Sequence, residues 1–372
     1  MRQEELCSEV AQRLARWFRA HARSLPWRQT RDPYAIWVSE VMLQQTRVVA
    51  VEEYYRRWLE RFPTVYALAE ADLDAVLKQW QGLGYYTRAR NLHRAAQFVV
   101  QEYDGRLPQT ADELQKLPGI GRYTAGAVAS IAFGAPEPVV DGNVTRVLCR
   151  VFHVTTIPTE PTIQRRLWRL AGRIVASDAG MLNQAMMELG ALICLPRQPR
   201  CPNCPVQPVC RACAKGDPEQ LPLRPAKREV PHYDVAIAVI RRNGRVLIDR
   251  RPPQGHLGGL WEFPGGKLQP GESVKHALVR EAREEVALTV EPQRRLATVE
   301  HAYTHFRVTL HAFECRVLAG RARPLECDQV KWVALDDLDD YAFPRGSEKI
   351  IDILLRDKGT SRQKNKPKTH RK

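Results

Sequence analysis

Two carboxylates in unlike settings are the first chemistry this sequence offers. Glu40 lies in "YAIWVSEVML", among apolar neighbours, where loss of water favours the protonated acid. Asp141 lies in "VVDGNVTRVLCR", just before a helical pattern that starts near Asn143. The free N–H groups of a helix start favour an ionised carboxylate there. Such a pair can hold a proton on one member and a charge on the other. The competing reading makes Glu40 a solvated residue and Asp141 an ordinary helix cap. A second constellation is "CLPRQPRCPNCPVQPVC", where Cys194, Cys201, Cys204 and Cys210 are spaced C-x6-C-x2-C-x5-C in turns stiffened by five prolines. Four thiolates this close suit a tetrahedral zinc or a [4Fe–4S] cluster, and both stay open on the residues alone. Cys213 follows as a fifth thiol, and Cys7, Cys149, Cys315 and Cys327 are scattered as packing residues are. A third group stands in "GGKLQPGESVKHALVREAREEVAL": on a helix, Glu281, Glu284 and Glu285 share a face suited to a hard cation such as Mg²⁺.

The elements that must position these groups differ between the two halves of the chain. Residues 4–194 are helix after helix, with Leu6, Val10, Leu14, Trp17 and Phe18 on one face of the first. Helical periodicity returns over 36–60, 87–101, 122–133, 143–153, 163–176 and 181–193. "LPGIGRYTAG" runs from a turn with Gly119 and Gly121 into a helix, so that backbone N–H groups with partial positive charge can approach a phosphate. The segment 214–231 is rich in proline and charge and is expected to be a linker. "YDVAIAVIRR", "GRVLIDR" and "FRVTLHAFECRV" then have the β-branched, partly alternating pattern of strands, interrupted by one helix over 272–286. The domains expected are 1–213 and 232–356, followed by a disordered basic tail, 357–372.

Composition narrows the partner. The 372 residues hold 57 Lys and Arg against 42 Asp and Glu, a net charge of +15, which suits a polyanion. Lys78 and Lys116 are the only lysines in the first 200 residues, where arginine is abundant. Guanidinium forks bind phosphate through two bonds, although a codon preference explains the bias equally well. No stretch approaches the roughly 18 apolar residues of a membrane span, and the charged start "MRQEELCSEV" lacks the core of a secretory signal. The expectation is a cytoplasmic monomer, on the nucleoid in a bacterial cell.

Residues 1–213 resemble a helix–hairpin–helix DNA glycosylase of the endonuclease III superfamily. The motifs "SEVMLQQT" and "GLGYYTRARNL" are similar to those of the MutY-type adenine DNA glycosylases. "LPGIG" resembles the superfamily's phosphate-gripping hairpin, with Gly119 and Gly121, and the cysteine spacing matches its [4Fe–4S] motif. The resemblance implies a mainly α module whose iron–sulfur loop carries Arg197, Arg200 and Arg211 to the DNA backbone. It further implies that Glu40 protonates a departing adenine, that Asp141 faces the sugar cation, and that Tyr123 and Asn143 help position and stabilise Asp141 and the reacting sugar. Tyr123 stands where strand-cutting relatives have a Schiff-base lysine, so a monofunctional glycosylase is expected. Arg23, Leu25, Trp27 and Arg28 of "RSLPWR", with Glu188 of "NQAMMELGA", are implied as the adenine pocket. Gln45 and Tyr85 are implied as residues that enter the duplex. A buried Trp27 and a surface Glu188 are the plainer alternative.

Residues 232–356 resemble a Nudix (MutT-like) α+β domain, with the G-x5-E-x7-R-E-x-x-E-E pattern running from Gly266 through Glu272, Arg280, Glu281, Glu284 and Glu285. Ala282 and Ala287 depart from that pattern. Two readings follow: a Mg²⁺-dependent nucleotide hydrolase, or a damage reader that retains the box. The reader rests on Tyr303, Thr304 and His305 of "EHAYTHFRVTL", which resemble the family's 8-oxoguanine recognition loop. The implied substrate is double-stranded DNA with adenine opposite 8-oxoguanine or guanine. The rivals are an endonuclease III-like glycosylase with lyase activity, a nucleotide-pool hydrolase tethered to DNA, and a non-catalytic damage-binding protein.

Overall fold

The computed structural model describes residues 2–225, 230–255, 257–303 and 306–357. It divides into two compact units, Met1–Ala71 with Arg90–Lys227 and Asp72–Ala89 with Arg228–Lys372. In chain order the first helices are α1 (Gln3–His21), α2 (Pro33–Leu43), α3 (Val48–Arg61), α4 (Val65–Ala69), α5 (Leu73–Trp80), α6 (Thr87–Tyr103) and α7 (Ala111–Leu114). They continue as α8 (Arg122–Phe133), α9 (Gly142–Val151), α10 (Pro161–Val175), α11 (Ala179–Leu192) and α12 (Arg211–Lys215). Among the described residues no helix is long and apolar enough to cross a membrane.

The first unit is built around α1, whose Leu6, Val10 and Leu14 pack with Val147 of α9, Leu170 of α10 and Leu182 of α11. α2 is buried nearly all round, nine of its eleven residues from Tyr34 through Met42, and therefore runs through the interior. The single periodic stretch expected over 36–60 is two helices. α3 buries only one face, through Val51, Tyr55 and Trp58, so one straight axis cannot serve both burial patterns. The chain turns between them at Gln45, in the left-handed region at φ 57°. The hairpin before α8 uses Gly119 at φ +76°, where a Cβ would stand 2.5 Å from the Asn91 side chain; a Cβ on Gly121 would meet open space.

In the second unit β1 (His232–Arg242), β2 (Arg245–Arg250), β3 (Trp261–Glu262), β4 (Gly265–Lys267), β5 (Leu288–Ala302), β6 (Arg307–Gly320) and β7 (Gln329–Ala334) form one mixed sheet. Its order is β3-β2-β1-β6-β5, with β4 on β1 and β7 on β2. β1 runs parallel to β6, and its other neighbours are antiparallel. Ala236–Ile240 are buried on both faces because helices cover both sides. One is α13 (Val274–Val286), through Ala277, Leu278 and Ala282. The other is α14 (Arg345–Asp357), a second helix that the sequence reading did not place. Its signal is the spacing of Ile350, Ile351, Leu354 and Leu355, all on the core face. Asp74 of α5 joins this unit by accepting hydrogen bonds from Arg250 and Trp261, both at 3.4 Å.

Candidate active site

One cavity of about 140 Å³ in the first unit is lined by Glu40, Tyr123, Asp141 and Asn143 together with Arg23, Leu25, Trp27, Arg28 and Glu188. Residues expected to act on the leaving base and residues expected to hold it thus share one space. Glu40 is 4% exposed, because α2 is surrounded on every side. Burial pushes its carboxyl up to about 7, and the nearby Asp141 charge adds to this. The Tyr123 hydroxyl opposes the rise by donating to Oε2 at 2.8 Å. Near neutral pH a large fraction of Glu40 therefore carries a proton. Tyr123 was expected to serve Asp141 and the sugar, but its hydroxyl is spent on Glu40 and lies 3.2 Å from the Met187 sulfur.

Asp141 is the N-cap of α9, and its Oδ1 accepts from the Val144 N–H at 2.6 Å. The Asn143 amide donates to its Oδ2 at 3.0 Å. These bonds were expected to favour the ionised form, yet burial is the larger influence and raises the carboxyl above its ordinary value. Asn143 is in turn held by Arg146, which donates to Asn143 Oδ1 at 2.8 Å, to the Gly190 carbonyl at 2.8 Å and to the Cys194 carbonyl at 2.7 Å. Arg146 escaped the sequence reading. Its signal is position: it follows Asn143 by one helical turn on the same face of α9.

Glu188 is 1% exposed and is no surface residue. Arg23 and Arg28 both grip it in bidentate fashion, at 2.8 and 2.6 Å from Arg23 and 3.1 and 3.0 Å from Arg28. Burial alone would raise this carboxyl, but the two guanidiniums outweigh it and hold it at about 2. Trp27 is buried edge-on against Tyr55 at 5.4 Å. The cavity thus has an aromatic and aliphatic wall and a polar floor in which two guanidiniums share one carboxylate. No lysine is among its lining residues. Gln45 and Tyr85 both stand in the left-handed region, at φ 57° and 49°. Non-glycine residues adopt that conformation at a cost, and such strain clusters at functional positions.

The four spaced cysteines line a second cavity, together with Cys213. Among the described residues, no three or more His, Cys, Asp or Glu side chains are grouped so as to hold a metal ion. Burial first, and then the neighbouring sulfurs, raises Cys201 to about 11 and Cys204 to about 12, so these thiols are neutral at ordinary pH and would lose their protons on taking up a metal. By residue type and spacing the four cysteines lining this cavity still suit a thiolate-ligated cluster, although their side chains are not drawn together around one point. Buried Arg150 ties the loop down, donating to Cys194 Sγ at 3.2 Å, to the Leu195 carbonyl at 2.7 Å and to the Leu221 carbonyl at 2.9 Å.

In the second unit Arg280 collects the acids of the box. It bonds to both Glu272 oxygens at 2.8 Å, to Glu281 at 2.7 Å and to Glu284 at 3.0 Å. Glu285 accepts the Gly265 N–H at 2.8 Å and is pushed up to about 8 by burial and by the charges of Glu262 and Glu281. Ala287 does end α13 in the left-handed conformation, at φ 59°, where glycine is the easier residue. Tyr303 is half-buried with its ring edge-on to His301 at 4.6 Å. Thr304 and His305 lie outside the described residues.

Comparison with known proteins gives the following. The family described as "HhH-GPD superfamily base excision DNA repair protein" matches residues 38–173, and "NUDIX domain" matches residues 235–352. The chain is 36% identical over 395 residues to the adenine DNA glycosylase of Rattus norvegicus, covering 91% of this chain and 77% of that one. It is 39% identical over 397 residues to the adenine DNA glycosylase of Homo sapiens, covering 91% and 73%. Among solved structures, a thermostable thymine-DNA glycosylase superposes with a TM-score of 0.53 at 29% identity, over 57% of this chain and 98% of that one.

Proposed function

The chain belongs to the adenine DNA glycosylase family, and from that premise we propose that it hydrolyses the base–sugar bond of adenine mispaired with 8-oxoguanine or guanine. The observation that carries this reading is the buried Glu40, held by the Tyr123 hydroxyl in the same cavity as Asp141. The C–N bond breaks with its electron pair passing to adenine, and Glu40 delivers the proton that makes adenine a neutral leaving group. Asp141, held by Asn143 and the α9 N-terminus, faces the positive charge left on the sugar. Water then adds to that carbon, and the carboxylate left on Glu40 accepts its proton. Arg23 and Arg28, immobilised by Glu188, turn donors toward the edge of a base that has left the stack. Duplexes with single defined mispairs test this: breaks at the mispaired adenine are expected only after alkali. Alkali-labile breaks at pyrimidines, or none at all, would refute it.

Strand cleavage without alkali requires an amine beside the sugar, and Tyr123 supplies a phenol in its place. Borohydride is therefore expected to trap little covalent complex with abasic DNA. Trapping comparable with a lyase would overturn the monofunctional assignment, and Tyr123→Lys is expected to raise trapping. Cys194, Cys201, Cys204 and Cys210 would hold a [4Fe–4S] cluster, whose contribution is to brace the loop carrying Arg197, Arg200 and Arg211. Purified protein is expected to contain about four irons per chain; one zinc and no iron would contradict this. The second domain is proposed to read the base opposite adenine through Tyr303, Thr304 and His305. Arg280 pairs with Glu272, Glu281 and Glu284 and offsets one of their three negative charges, so Mg²⁺-dependent hydrolysis stays as the second reading of this box.

A further inference from the structure

Arg122 is an exposed cation at the first position of α8, where the helix end itself carries partial positive charge. No acidic residue occupies that first turn. Its guanidinium is stacked over the ring of Trp168, 3.9 Å from the centroid. Trp168 projects from α10, which carries Arg165, Arg166, Arg169 and Arg173 and no Asp or Glu in its fifteen residues. Placing so many like charges together is self-repulsive, and the helix end makes it worse for Arg122. Among the described residues no carboxylate forms an ion pair with Arg122; Arg173 reaches one, Glu4, at 3.9 Å. A polyanion would remove the repulsion.

The geometry specifies what Arg122 presents. The central carbon of the guanidinium sits 3.9 Å from the Trp168 ring centroid, and a guanidinium held on a ring face keeps its N–H edges for bidentate phosphate binding. Immediately before it, Gly121 borders open space and Gly119 turns the backbone at φ +76°. A phosphodiester approaching those glycines arrives beside the Arg122 edge. We propose that Trp168 is a positioning residue that holds Arg122 flat at the exit of the hairpin, and that Arg122 grips a backbone phosphate of the duplex. This rests on the DNA-glycosylase reading. It adds a side-chain contact to the backbone contacts of the hairpin.

The test is the salt dependence of duplex binding by the full-length protein, measured with wild type, Arg122→Ala, Trp168→Ala and Trp168→Phe. Loss of one phosphate contact makes the slope of log Kd against log salt shallower by about 0.9. The gap between wild type and Arg122→Ala then closes by about 3.5-fold for each fourfold rise in salt. Trp168→Ala keeps every charge yet is expected to lose most of the same increment, and Trp168→Phe to restore it. A wild-type slope in Arg122→Ala, or equal weakening by Trp168→Ala and Trp168→Phe, overturns the proposal. If wild type itself binds duplex without salt dependence, the DNA reading fails first, which separates the two failures.

Discussion

Glu40→Gln is expected to slow single-turnover adenine release by at least about 100-fold while mispair binding stays within a few-fold of wild type. The amide preserves shape and can still accept from the Tyr123 hydroxyl, 2.8 Å away in the wild type, but it has no proton to deliver. A variant within about tenfold of wild type, roughly 1.4 kcal/mol of barrier, would remove Glu40 as the acid. The pH profile is the second half of this result. Burial raises the Glu40 carboxyl to about 7, so the active protonated form is abundant below that pH and lost above it. The wild-type rate is expected to fall about tenfold per pH unit once pH exceeds about 7. Glu40→Gln is expected to lose that limb. A wild-type rate that stays level to pH 9 would show that the proton comes from elsewhere.

The largest effect on stability is expected from Glu188→Ala, a loss of about 3 kcal/mol in the urea-induced unfolding of the full chain. Glu188 is 1% exposed and receives two bidentate guanidiniums, so its removal strands two cations at a buried site. The loss stays at the low end of the usual range because the Arg23 side chain is 31% exposed and regains water. Glu188→Gln keeps the shape but not the charge, and is expected to cost less. The pH dependence has a definite sign. The carboxyl is held at about 2 in the folded chain, against about 4.3 when unfolded. Its contribution is therefore complete above about 4.3 and is lost as pH falls toward 2. A loss below about 1 kcal/mol for Glu188→Ala at neutral pH would mean that the two arginines are solvated in the native state.

Much of the site was legible because the signals are local. The spacing of the four cysteines, the glycines of the hairpin and the cap position of Asp141 each express a requirement of a few consecutive residues. Gly119 must turn the backbone at φ +76°, and Asp141 must meet the N–H of Val144 three positions on. The apolar surroundings of Glu40 in the sequence likewise foretold its burial. α14 is legible too, from the helical spacing of Ile350, Ile351, Leu354 and Leu355 after a run of strands.

What sequence by itself determined is thus the inventory: two carboxylates, a thiol-rich loop, a glycine turn leading into a helix, and the change from helices to strands near 232. Tertiary structure alone decided the partnerships. Tyr123 and Glu40 are 83 positions apart, and Arg23 and Glu188 are 165 apart. Their meeting depends on how α2, α8 and α11 pack around a shared interior. The same packing turned the helix-cap advantage of Asp141 into a carboxyl raised by burial. It also linked Arg146 to both Asn143 and the Cys194 carbonyl. Caps and turns are encoded by neighbours in the chain, whereas desolvation and ion pairing depend on which surfaces the fold removes from water together.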